Sequence, residues 1–238
     1  AHHSAAQLRE ASDAQHGAQR ASKLASLRSH CRWAPWLHHP GGLVRPANLA
    51  PVGMELDLSL DASGVEIPGP LKGSLLSHTT WAPVLQQWIE LVRSTPDLSC
   101  PSVVRQAPEV SLGLRFTDDA GITELNRQWR QRSGPTDVLS FAALDDTPDW
   151  LEDEAVESEA VELGDIIVSV DTAQQQAKSH DHSLYYELHW LISHGLLHLL
   201  GWDHPDEQSL SAMLALQERL LDSTGNVLLK DKRPVEIE

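Results

Sequence analysis

His194, His198 and His204 stand in the stretch HGLLHLLGWDH, residues 194–204, at the spacing H-x-x-x-H-x-x-G-x-x-H. No other feature restricts the fold as tightly, because these imidazoles meet only if the chain makes a helix and then turns back. Residues four apart on a helix project from one face. A glycine just past the last helical residue is the usual way out of a helix, and Gly201 stands where His204 could be returned toward the first two. Three nitrogens can share one ion at about 2.0–2.1 Å, leaving a fourth position open, as in catalytic rather than structural zinc. Two partly buried helix histidines plus an unrelated one would be the bland alternative. The helix-stopping glycine between them favours the metal.

The same spacing serves a large class of zinc proteases, which carry Glu directly after the first histidine. Here that position is Gly195. Zinc alone can bring the pKa of its water toward about 7, so hydrolysis survives the loss. Peptide cleavage suffers more, since the base must also deliver a proton to a poor amine leaving group. A phosphodiester asks instead for cationic donors at the phosphoryl oxygens. Glu187 is no substitute: seven residues before His194, it sits roughly 10 Å away along a helix axis, at the core edge or behind the ligands. Asp203, next to His204, could orient a ligand imidazole or be an ordinary turn residue. Asp165, which starts the apolar run IIVSV, is either a solvated strand end or a residue at the site's edge. His189 points off the ligand face, and His180 and His182 fall in a polar turn, where they read as solvated.

Composition sets an objection to any polyanionic partner. The net charge is −16, and residues 1–53 hold six basic against two acidic residues, leaving 12 basic and 32 acidic in 54–238. Such a body repels nucleic acid unless its basic residues cluster. Two cysteines, Cys31 and Cys100, rule out a disulfide framework and suit a reducing, cytoplasmic compartment. No apolar run is long enough for a transmembrane helix.

Residues 1–53 sustain neither period 3.6 nor period 2 and read as a disordered N-terminal extension, or as upstream or targeting sequence. From Met54 the pattern is orderly. MELDLSL, EVSLGLRFTD, TDVLSFAAL and LGDIIVSV read as strands. TTWAPVLQQWIELVRS (with Pro83 in its first turn), DAGITELNRQWRQR, DTAQQQAKSHD, SLYYELHWLISHGLLHLL and DEQSLSAMLALQERLLD read as helices. The acidic stretch 145–161 reads as a solvated loop. Strands and helices interleave without a regular repeat. The expectation is therefore one α+β domain over 54–238, a small mixed sheet with about five to six helices, and the three histidines on a central helix and the turn after it.

A second constellation lies in LNRQWRQRSGPTDVLSF, residues 125–141. Arg127, Arg130 and Arg132 fall within six consecutive positions of an otherwise acidic body. They suit phosphate through their planar forks, or merely place cations at the negative pole of a helix.

Taken together, LNRQWR…PTDVLSF, then LGDIIVS, then HGLLHLLGWDH resemble the YbeY family, bacterial metal-dependent endoribonucleases of ribosomal RNA maturation. The resemblance runs in order over roughly residues 54 to 222. It implies one zinc per chain held by His194, His198 and His204, and a functional arginine in the cleft, matching Arg130. It also implies single-stranded RNA as substrate, notably the 3′ end of small-subunit (16S) rRNA, in maturation and ribosome quality control. Ribosomal proteins would be partners; DNA and membranes would not. Trp129 and Trp202 replace tyrosines common in the family, SFAAL lacks a frequent proline, Arg132 stands for Lys and Ser133 for an acid. Residues 1–53 have no counterpart, and the 145–161 loop is long. On this reading Arg130 is catalytic, Arg127 and Arg132 bind substrate, and Asp203 and Asp165 support the site. The arginine patch also answers the charge objection. Two other classes stay open: a metallopeptidase with a base from elsewhere, and a non-catalytic ribosome-assembly factor whose zinc is structural.

Overall fold

The computed structural model describes residues 53–65, 67, 72–146 and 160–225. Of these, the residues up to 203 and from 211 onward group as one compact unit, and the short segment 204–210 is grouped apart from it. The readings of an N-terminal extension and of most of the acidic loop fall outside the described residues.

Four strands make one mixed sheet: β1 (Glu55–Asp61), β2 (Glu109–Thr117), β3 (Val138–Ala142) and β4 (Ala160–Ser169), in the order β1-β2-β4-β3. β1–β2 and β2–β4 run parallel, while β3 pairs antiparallel with β4 at the edge. Among the described residues six helices accompany it: α1 (His78–Ser94), α2 (Ser102–Gln106), α3 (Asp119–Arg130), α4 (Val170–Ser179), α5 (Leu184–Leu199) and α6 (Glu207–Ser223), besides single helical turns at Lys72–Leu75 and Ala143–Asp146. The α+β class, the small mixed sheet and the helix number are those the sequence predicts.

Alternation in β4 explains why both faces of the sheet are covered. Ile166 and Val168 join the large core formed with Trp81, Leu85 and Trp88 of α1 and Leu188, Ile192 and Leu196 of α5. Ile167 turns the other way, into a smaller cluster with Leu139 and Ile122 of α3. α5 and α3 therefore lie on opposite sides of the sheet.

Two boundaries differ from expectation. α1 begins at His78, so Pro83 falls inside the helix rather than in its first turn, where it removes one backbone donor. β4 begins at Ala160, and Val161 is buried, so the acidic stretch gives way to strand before its expected end. The parallel partner β2 supplies the hydrogen bonds that outweigh the local polarity of AVE, pairing Val110 with Val161.

Candidate metal centre

Ser183 starts α5 as its N-cap, its hydroxyl accepting from the Tyr186 N–H at 3.1 Å. The helix ends as the sequence requires. Gly201 takes φ +82, its N–H donates to the His198 carbonyl, and the Trp202 N–H donates to the Leu197 carbonyl. That pair of bonds is a Schellman motif, which a left-handed residue closes. The chain then turns to His204. Asp206 caps the next helix, its carboxylate accepting from the Ser209 N–H at 2.8 Å.

Within α5 the Nε2 atoms of His194 and His198 face each other at 3.2 Å, with ring planes at 83°. Two nitrogens on one tetrahedral ion, each at about 2.0–2.1 Å, stand roughly 3.3 Å apart. Offering one nitrogen each, His194, His198 and His204 lie within 4.8 Å of one another, and all three are partly exposed. The donor set and its spacing fit a divalent metal with a position left for another ligand.

A residue the motif does not include holds His194 in place. Gln217 on α6 is fully buried; its Nε2 donates to the Trp190 carbonyl at 2.7 Å. That fixes the amide so that Oε1 faces His194 Nδ1 at 3.3 Å. A carboxamide oxygen only accepts, so Nδ1 donates and Nε2 keeps its lone pair for a metal. The signal was in the sequence: Gln217 interrupts the apolar stripe of Met213, Leu216 and Leu220. A polar residue on a core-facing stripe is buried with a partner or at a cost.

Gly195 points at the sheet. A Cβ built there would meet Ile166 Cγ2 at 2.9 Å and Ser140 Oγ at 3.0 Å. There is no room at this position for the protease glutamate.

The other candidates are dispersed. Arg130 ends α3, just before the connection into edge strand β3. Its surface is open overall, yet loss of solvent around the guanidinium holds its pKa below the ordinary arginine value; Arg132 adds to this and Asp137 opposes it. Trp129 is exposed and touches Phe141 edge-on at 5.9 Å. Arg127 is also exposed but is engaged by Glu124, with Nε donating to Oε2 at 3.1 Å and a second, shorter bond beside it. Arg132 is exposed. Asp203 is exposed next to His204.

Asp165 departs from its expected place. It sits in the middle of β4, paired with Gly113 and Phe141, and is exposed on the face opposite Ile166. Its carboxylate lies over Gly113, where any side chain would collide with it. The strand is longer than its apolar run, which is why a residue expected to start it lies mid-strand.

His182 and Glu187 also differ. Glu187 is buried, not at the core edge, and its Oε2 stands 3.0 Å from His182 Nε2, itself only 10% exposed at the side chain. His180 is exposed, as expected of a turn residue. His189 is fully buried against Trp81, Trp88 and Tyr185. Burial brings its pKa down to about 4, against the opposing hydrogen bond from Nδ1 to the Tyr185 carbonyl.

The family model described as Endoribonuclease YbeY matches residues 77–225. Among similar proteins, Endoribonuclease YbeY of Synechococcus sp. (strain CC9902) is 84% identical over 185 residues, 78% of this chain and 100% of its own. Its namesake from Synechococcus sp. (strain CC9605) is 58% identical over 168 residues, 71% of this chain and 98% of its own. That from Prochlorococcus marinus (strain MIT 9313) is 52% identical over 183 residues, covering 75% and 95%.

Proposed function

The chain belongs to the YbeY family of endoribonucleases, and from that premise we propose that it is a zinc-dependent enzyme cutting single-stranded RNA in ribosomal RNA maturation. Its substrate is the 3′ end of small-subunit (16S) rRNA, met in the cytoplasm among ribosomal proteins, and it serves ribosome quality control. Residues 54–238 form the catalytic domain. The observation that carries the reading is the 3.2 Å approach of the His194 and His198 Nε2 atoms, with a His204 nitrogen in the same group. No described helix is long and apolar enough to cross a membrane.

His194, His198 and His204 would hold one zinc ion. Bound there, it would supply Lewis acidity and lower the pKa of a coordinated water toward about 7. Gln217 keeps His194 in the tautomer that presents Nε2. Arg130 steadies the charge that builds on the phosphoryl oxygens, with a fork that matches two of them. Arg132 and Arg127 receive neighbouring phosphates, Arg127 after giving up Glu124. Asp203 sets the orientation of His204. Asp165, on the far face of the sheet, contributes to the strand more readily than to this site.

Gly195 counts against the peptidase alternative, because a base carried at that position has no space. The assembly-factor alternative is separated by metal removal: a structural ion leaves an unfolded protein, a catalytic one a folded, inactive protein. The test is cleavage of a labelled 3′ fragment of small-subunit rRNA by the full chain, beside chelator-treated protein and His198→Ala. Cutting by the native protein, absent in both controls with circular dichroism unchanged, supports the reading. Equal cutting in all three would overturn it.

A further inference from the structure

We propose that the turn joining α4 to α5 carries a second divalent-cation site, built by His180, His182 and Glu187 and independent of the three-histidine centre. Offering one atom each, these side chains lie within 4.8 Å of one another. Glu187 Oε2 is 3.0 Å from His182 Nε2 and 3.8 Å from His180 Nδ1. Ligand atoms sharing a tetrahedral ion at about 2.0–2.2 Å stand roughly 3.3–3.6 Å apart, so the observed separations bracket that value.

The local backbone builds the group. His180 is the C-cap of α4, Asp181 takes the left-handed conformation at φ +56, and Ser183 caps α5. This tight reversal puts two imidazoles on one side, 5.5 Å apart, over a carboxylate from the first turn of the next helix.

The hydrogen-bonding pattern points to a cation. His182 Nδ1 faces the Ser183 carbonyl at 3.3 Å and must donate to it. Its Nε2 stands 3.0 Å from a carboxylate oxygen, a contact held either by a proton on the ring or by a cation shared between the two atoms. A ring anchored through Nδ1 to a carbonyl, with Nε2 outward, is also the usual posture of a metal-ligating histidine. Glu187 is 4% exposed at its side chain, and a buried carboxylate requires compensating charge. Among the described residues its ion-pair partners are these two histidines, with no Lys or Arg. A divalent ion held by all three side chains meets that need. Two nitrogens and one carboxylate suit a borderline transition ion such as Zn2+, Co2+ or Ni2+, with the other positions open to water.

The test is a zinc titration of the full chain against a chromophoric chelator, in the wild type, His180→Ala, Glu187→Gln and His198→Ala. The chain has 13 histidines, any of which can take zinc at high concentration, so the reading is the difference between proteins. Each of His180→Ala and Glu187→Gln should bind one equivalent fewer than wild type, or bind it at least about 10-fold more weakly. RNA cleavage by His180→Ala should be unchanged. In His198→Ala, zinc should still shift the imidazole nitrogen resonances of His180 and His182. His180 is exposed, so its replacement cannot lose the ion by unfolding the core. Equal zinc in wild type and His180→Ala, with unmoved resonances in His198→Ala, would show a protonated ion pair and overturn the proposal.

Discussion

Gly195 lies so close to Ile166 that a Cβ built on it would stand 2.9 Å from Ile166 Cγ2. The position that carries the base in zinc proteases is here packed directly against the sheet. An absence in the motif is thus a packing requirement.

Gly195→Ala gains about 1 kcal/mol of helix propensity but forces fully buried Ile166 and the Ser140 hydroxyl to move, an overpacking cost of about 1–3 kcal/mol. The expected net loss is about 1 kcal/mol in urea denaturation. Gly195→Glu should lose more and gain no peptidase activity. A stable Gly195→Glu protein that cleaves a peptide would refute this account of the site.

Gln217→Met keeps the volume of the buried side chain but removes the acceptor facing His194 Nδ1. Affinity at the three-histidine centre should fall about 10- to 100-fold, the usual cost of losing a ligand's outer hydrogen bond. Chelator competition measures it. Unchanged affinity would mean that His194 is oriented by helix packing alone.

Arg130→Ala should reduce RNA cleavage about 100-fold, as loss of one transition-state donor does, while zinc content stays the same. Arg127→Ala should do far less, since Glu124 already engages that guanidinium. Single-turnover cleavage with metal analysis separates the two. Loss of zinc in Arg130→Ala would make the arginine part of the scaffold.

His189 gives a pH dependence with a definite sign. Burial depresses its pKa to about 4, below the unfolded value of about 6.5. Between those values the unfolded chain binds the extra proton, so stability is complete above about pH 6.5 and falls as pH drops toward 4. The loss attributable to this group is about 3 kcal/mol at most. His189→Phe should flatten that part of the stability profile, measured by denaturation at a series of pH values. An unchanged slope would assign the acid sensitivity to other groups.

The local features of this protein are written in short stretches of its sequence. Helical period puts His194 and His198 on one face, a glycine stops the helix after them, and alternation marks the strands, because each depends on backbone geometry within a few residues. The ordered blocks around them carried the family as well. What only the tertiary structure decided are pairings between distant positions: the strand order β1-β2-β4-β3, Gln217 behind His194, and Ile166 and Ser140 against Gly195. His182 and Glu187 are close in sequence, yet their meeting depends on how one turn folds back over the first residues of a helix. Burial follows from what the rest of the chain lays over a residue. Hence a glutamate expected at the core edge and a histidine expected in solvent became a buried pair.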